Sequence, residues 1–181
     1  MATPPTFSAG AVLTAAQMNQ LGMFLVMSVP VGASSVSAVD ISDAFSSDYD
    51  NYLISYSDID ASVNGAGFFL RFGTISSPVT TNYRFGGLFS GYTGTNLNLN
   101  QNTPGYWEVG GTSSDKASGQ FYVNAPYLAT PSFFTAQFAR SDAAFVISGI
   151  QTDLTQHTDF HFYPSSGTMV GGTIRVFGIR K

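Results

Sequence analysis

The two histidines of the chain lie close together, with an aspartate between them. His157, Asp159 and His161 alternate in sequence, so on a β-strand their side chains would share one face, with neighbours about 6.6 Å apart. The two imidazoles would then lie about 13 Å apart, too far for one ion to bind both. We therefore expect a solvent-facing strand edge and no metal site within one chain, although a homotrimer could gather copies of one histidine around an axis.

Glu108 is the residue that best suits hydrolytic chemistry. It is the single glutamate of the chain and follows two aromatic residues, Tyr106 and Trp107, which could form a platform for a sugar ring. A glycosidase needs a second carboxylate about 5 to 9.5 Å away, and nothing selects one of the aspartates. No Gly-x-Ser-x-Gly nucleophile elbow is present either. We predict no catalytic residue, and a carbohydrate-active enzyme using Glu108 and an Asp stays open as an alternative.

Charge and composition argue against several other classes of protein. The net charge is -4, with seven Lys and Arg residues, which is a poor basis for a nucleic-acid groove. There is no cysteine, so disulfides and thiolate metal sites are excluded. The Gly-Gly pairs lack the spacing of a phosphate loop, and we expect no cofactor. The apolar stretch 21–31 is shorter than the roughly 20 residues of a membrane span, and residues 1–7 do not resemble a secretory signal.

The composition favours β-structure. The chain has 16 Phe and 9 Tyr but one Glu and two Lys, so residues that suit pleated sheets are abundant and those that extend solvated helices are scarce. Short apolar runs broken by Gly, Pro, Ser, Asn and Asp are typical of a jelly-roll-like antiparallel β-sandwich. The predicted strands are 27–31, 51–57, 68–73, 83–89, 105–109, 119–124, 133–140, 144–151, 160–163 and 172–179.

One short N-terminal helix is also predicted. Thr14 and Gln17 form a Thr-x-x-Gln capping box, which satisfies two backbone donors at a helix start. Leu13 and Met18 have the spacing of a hydrophobic staple. Two start signals within a few residues place the beginning of the helix at Thr14.

The predicted helix carries an apolar stripe that needs a partner surface. Met18, Leu21 and Leu25 fall at i, i+3 and i+7, and a helix of this length is marginal in water when isolated. Docking onto the β domain or onto neighbouring subunits would cover the stripe, and we favour the second. The expected organisation is an anchoring leader and helix, 1–27, and a β-sandwich domain, 28–181.

The stretch 90–104 is rich in Gly, Thr, Asn and Leu, and we predict an exposed loop or an extended excursion there. Loops of β scaffolds carry binding residues. The aromatic residues near loop signals, Tyr92, Tyr106 and Trp107, could therefore stack on sugars, although burial is the commoner fate of such side chains.

Three segments resemble structural proteins of bacteriophage particles, in particular tail-fibre and appendage proteins of tailed phages. The first is FSAGAVLTAAQMN, residues 7–19, which is similar to a Phe-x-x-Gly-x-x-Leu-Thr-Ala opening segment. The second is 45–57, where Tyr-Asp-Asn-Tyr leads into an alternating strand. The third is 166–181, which is similar to a terminal Gly-Thr-Ile-Arg-Val-Tyr-Gly strand, with Phe177 in place of the usual Tyr.

The resemblance implies a virion protein that assembles with copies of itself, as a trimer, and with other phage proteins. Its N-terminal segment would attach to the particle, and its distal loops would meet a host-surface glycan. A capsid decoration or cement protein is the alternative structural role. The residues assigned to attachment are Phe7, Leu13, Thr14, Gln17, Met18, Leu21 and Leu25.

Overall fold

The computed structural model describes Gly10 and residues 22–102, 104–113 and 115–180. Within these residues the chain forms fourteen β-strands and no helix. The strands are β1 (Met23–Pro30), β2 (Val39–Ile41), β3 (Tyr49–Ala61), β4 (Gly67–Thr74), β5 (Ser77–Pro78), β6 (Tyr83–Gly91), β7 (Asn96–Asn102), β8 (Trp107–Gly111), β9 (Ala117–Asn124), β10 (Ser132–Ala139), β11 (Ala143–Gln151), β12 (Phe160–Pro164), β13 (Met169–Val170) and β14 (Thr173–Arg180).

The strands form two antiparallel sheets. The nine-stranded sheet has the order β1-β14-β3-β9-β10-β11-β6-β7, with β13 also paired to β3. The five-stranded sheet has the order β2-β12-β4-β5, with β8 also paired to β4. Neighbours that are adjacent in sequence, such as β9, β10 and β11, make hairpin connections, whereas β14 returns from the C-terminal end to lie between β1 and β3.

Alternation along the strands determines what is buried between the sheets. On β10, Phe134, Ala136 and Phe138 are buried, while Phe133 on the opposite face is 48% exposed. Trp107 of the five-stranded sheet stacks on Phe134 of the nine-stranded sheet, with ring centroids 4.5 Å apart. The faces that meet in this way are called inner faces here, and the opposite ones outer faces.

The expected alternation is confirmed on three strands. Each of them directs every second side chain into the core, as a pleated strand with one buried face requires. The buried residues predicted to share faces are Tyr52, Ile54 and Tyr56 on β3, Phe68, Leu70 and Phe72 on β4, and Phe134, Ala136 and Phe138 on β10.

Phe72 lies at the centre of an aromatic cluster. Its ring is edge-on to Phe45 at 5.9 Å and to Trp107 at 5.2 Å, and it stacks on the imidazole of His157 at 4.2 Å. The hydroxyl of Tyr83 accepts a hydrogen bond from the Phe72 backbone N–H at 2.8 Å. Segments far apart in sequence therefore converge on one ring.

Two glycines make room for a buried tyrosine. A Cβ atom at either Gly110 or Gly119 would overlap the hydroxyl group of Tyr56. These positions, on β8 and β9, must therefore remain without a side chain for the phenol to lie between the sheets.

The predicted helix does not extend to Leu25. Residues 23–30 form β1, in which Leu25 pairs with Phe177 of β14 and is 56% exposed. Pairing with β14 satisfies the backbone groups of the apolar run after Gly22, so the run is a strand, and the predicted boundary at residues 27 and 28 is wrong. The other residues assigned to attachment lie outside the described residues: Phe7, Leu13, Thr14, Gln17, Met18 and Leu21.

Residues 96–102 of the stretch 90–104 form a strand, so the loop alternative is wrong for them. Asn96–Asn102 is β7, which pairs with β6 along its whole length. The connecting turn contains Gly94, whose φ of +97° suits glycine. Alternation of Asn with Leu supports an edge strand here, whereas the polar residues taken alone indicate a loop.

Replacing Phe72 with Ala should destabilise the fold by about 3–5 kcal/mol, because it removes a ring that several elements share and leaves a cavity. Urea unfolding followed by fluorescence measures this. Phe133→Ala is the matched control: its ring is 48% exposed, so the loss should be about 1 kcal/mol or less. Equal losses in the two variants would contradict the assigned core.

Candidate ligand-binding surface

The histidines do not share a strand face as expected. The strand β12 begins at Phe160, and His157 precedes it in a connection where its ring packs against Phe72. His161 lies on β12, with Nδ1 3.2 Å from the carbonyl oxygen of Gly73. The expectation of a solvent-facing edge is therefore wrong, since each histidine is 5% exposed.

The carboxylate of Asp159 has hydrogen-bond partners within the protein. Its carboxylate accepts hydrogen bonds from the backbone N–H of Asp43 at 2.7 Å and from the hydroxyl of Thr158 at 3.0 Å. In the part of the chain that the structure describes, no group of three or more His, Asp or Glu residues is arranged to hold a metal ion.

The aromatic residues predicted to meet a ligand do not share one surface. Trp107 is fully buried, so its predicted surface contact is wrong: it faces Phe134 because β8 directs it inward. Tyr106 is half-buried and stacks on Phe69 with centroids 4.0 Å apart. Tyr92 is 61% exposed in the turn between β6 and β7. These residues form no common platform.

Glu108 is half-buried on β8. Burial raises the pKa of its carboxyl group, and the positive charge of Arg140 acts in the opposite direction. The guanidinium group of Arg140 donates two hydrogen bonds to the carboxylate of Asp142, at 3.1 and 3.0 Å, in a bidentate pair. The carboxyl group of Glu108 is therefore harder to ionise than usual. The structure does not single out a second carboxylate that would pair with it in a glycosidase.

A shallow trough crosses the outer face of the nine-stranded sheet. Its floor is a row of residues that lie opposite one another on five neighbouring strands. The residues of this central row are Tyr122, Thr135, Ser148, Gly86 and Asn100, on β9, β10, β11, β6 and β7 in that order. The middle three have small side chains or none, so the floor is low.

Larger side chains form the two walls of the trough. One wall is the row Gln120, Gln137, Val146, Leu88 and Asn98, and the other is the row Asn124, Phe133, Ile150, Arg84 and Asn102. Leu88 and Val146 are 62% and 49% exposed. The walls stand higher than the floor because Thr, Ser and Gly are smaller than their neighbours on both sides.

Two cavities lie along the trough. One, of about 450 Å³, is lined by residues that include Arg84, Gly86, Asn100 and Ser148. The other, of about 250 Å³, is lined by Gln120, Tyr122, Thr135 and Gln137. Thr135 of one lining and Ser148 of the other are cross-strand partners, with hydroxyl oxygens 3.4 Å apart.

The three rows of the trough contain one charged side chain, the positive Arg84. None of the side chains in its three rows is acidic. The side chain of Arg84 is exposed, and its guanidinium group has neither a hydrogen bond nor an ion pair with any described residue. By contrast, Lys116 pairs with Asp58 at 3.0 Å, and Arg71 donates to the carbonyl of Gly105 at 2.5 Å. An extended ligand with hydroxyl and anionic groups suits this lining.

The sequence indicated that these side chains face solvent, but it did not bring them together. Polar residues alternate with buried ones on β9 and β10, as in Gln120, Tyr122, Thr135 and Gln137. Their assembly into one row depends on the order of the strands, which alternation does not encode.

Comparison with known proteins gives no relative: no family model, no curated protein and no solved structure matches the chain significantly. The described part of the chain contains no helix with the length and hydrophobicity of a membrane span.

Stability should decrease as the pH falls below the usual histidine pKa of 6.5, because burial lowers the pKa of His157 and the folded state favours the neutral ring. The neutral ring of His157 contributes fully to the free energy of unfolding above pH 6.5, and this contribution is lost as the pH falls. His157→Phe retains a ring against Phe72 without a titrating group, so the stability difference between about pH 7.5 and about pH 5.5 should shrink. Urea midpoints at both pH values measure it.

His161 remains in that variant, and burial lowers its pKa too, so a smaller pH dependence should persist. If His157→Phe showed the same pH dependence as the unaltered protein, protonation of His157 would not be coupled to unfolding.

Proposed function

We propose that the chain is a structural subunit of a tailed-phage particle, a tail-fibre or appendage protein that serves assembly and host-surface recognition. The observation that carries this proposal is the trough on the outer face of the nine-stranded sheet. It is long, open and lined by amides and hydroxyls, as a recognition surface for an extended ligand would be. The resemblance of three sequence segments to phage appendage proteins supplies the particle class.

The exposed apolar residues of the same sheet support a role in assembly. Met23 and Leu25 on β1 are 48% and 56% exposed, and Leu97 on β7 is 55% exposed. Both strands are edges of the sheet, and exposed apolar edges are places where proteins pair with other chains. A closed homotrimer would cover such edges.

Attachment to the particle is assigned to the segment that precedes β1. Since β1 begins at Met23, this segment is shorter than the leader predicted from sequence. The chain enters the sheet at an edge strand, so a preceding segment can reach a neighbouring subunit without crossing the β domain. We classify the domain as a jelly-roll-like β-sandwich, because contacts such as Trp107 with Phe134 join the inner faces of the sheets.

Deleting residues 1–22 should prevent incorporation into particles while the β domain still folds, because every described strand is retained. Incorporation is measured by immunoblotting purified particles made with the truncated or the full-length chain. Circular dichroism of the truncated protein provides the folding control. Normal incorporation of the truncated chain would contradict the attachment role.

Particles that lack the chain altogether separate the two structural roles. A tail appendage should be needed for adsorption to cells, with heads as resistant to heat and osmotic shock as before. Heads that burst while adsorption remains intact would instead identify a cement protein.

A further inference from the structure

We infer that the trough binds an acidic polysaccharide, with its chain lying across the strands and one of its carboxylate groups on Arg84. The inference rests on the recognition role proposed above and names the ligand class. Three features of the trough, which consists of the central row and its two walls, support this ligand class: its length, its hydrogen-bonding groups and its charge.

The length of the trough suits a chain rather than a single small molecule. The central row runs from Tyr122 on β9 to Asn100 on β7, which spans four gaps between strands. At about 4.8 Å for each gap the floor is about 19 Å long. A ligand that filled it would contact several strands at once and would need a repeated structure to use them all.

The hydrogen-bonding groups suit a ligand that is rich in hydroxyls. The amide side chains of Gln120, Gln137, Asn100 and Asn102 are exposed, and each can donate and accept at once. The hydroxyl of Ser148 lies on the floor between them. At one end the ring of Tyr122, 42% exposed, offers an apolar surface of the kind that packs against the face of a sugar ring.

The charge of the trough selects an anion. Arg84 stands in the wall beside Gly86, where no side chain covers the floor, and the three rows contain no carboxylate that would neutralise it. A guanidinium group binds a carboxylate through two parallel hydrogen bonds. Uronic-acid units combine that carboxylate with the ring hydroxyls that the amides would meet.

A polypeptide fits the same surface less well. Four of the five strands beneath the trough, β9, β10, β11 and β6, are paired on both sides, so their backbone groups are already hydrogen-bonded, and β7 is the sheet edge. An extended peptide binds mainly by adding a strand to a free edge, and the trough runs across the strands instead. Side chains alone would hold its ligand, as is usual for sugars and not for extended peptides.

The test is direct binding to the full-length chain, measured by isothermal titration calorimetry. The acidic probes are hexasaccharides of galacturonate, mannuronate and hyaluronate. The neutral probes are maltohexaose and cellohexaose, and hexaglutamate reports attraction to charge without sugar. We expect at least one acidic hexasaccharide to bind, the neutral ones to bind more weakly, and hexaglutamate not to bind.

Two substitutions locate the site. Arg84→Gln should weaken binding of the acidic probe by about tenfold or more, the loss expected for a charge-assisted pair. Ser148→Tyr should abolish binding by filling the floor. Ser28→Tyr is the matched control, because Ser28 is also an exposed serine but lies on β1, five strands from β11. It should bind as the unaltered chain does, and thermal melts should show all three variants folded.

Several results would overturn the inference: no binding of any acidic hexasaccharide, binding that Ser148→Tyr leaves intact, or equal affinity for neutral probes that Arg84→Gln does not change. Binding of hexaglutamate with the same sensitivity to Ser148→Tyr would identify a peptide site instead. If the chain is found in particles but binds no acidic probe, the inference fails and the particle role stands. If it binds but is absent from particles, the particle role fails.

Discussion

Aromatic rings fill the space between the two sheets, and the positions of most other side chains follow from that packing. Phe72 contacts Phe45, Trp107 and His157, which belong to segments widely separated in sequence. Large flat side chains bury much apolar area in preferred geometries, so the domain needs neither disulfides nor a dense network of ion pairs. Because the inner faces carry the packing, the outer faces are free to vary.

The trough is a consequence of that freedom. Its floor and walls lie on paired strands rather than on loops, so the spacing of its side chains is set by the sheet, and the proposed binding would cost little conformational entropy. The sequence predicts recognition residues in loops, near Tyr92 and in the stretch 90–104. The structure places a hairpin strand there, and that strand supplies Asn100 and Asn102 to one end of the trough.

How far the sequence determines these features depends on whether a signal is local. The buried faces of β3, β4 and β10 were predictable, since alternation with aromatic residues is read directly from the chain. The strand structure of residues 23–27 was not predictable, because it depends on pairing with β14, which is distant in sequence. The burial of Trp107 was not predictable for the same reason: it lies in the predicted strand 105–109 near loop signals, but its partner Phe134 comes from the other sheet. Predicting the trough from the sequence would have required the order of five strands in the sheet.

The central proposal is that the domain displays its trough to the outside while the segment before β1 attaches it to a particle. A cryo-electron-microscopy reconstruction of the particle that resolves strands would test both parts at once. We expect the domain on a tail appendage, with residues 1–22 in contact with neighbouring subunits and Arg84 and Ser148 open to solvent. Finding the chain in the head with its nine-stranded sheet covered by the shell, or not finding it in the particle, would contradict the proposal.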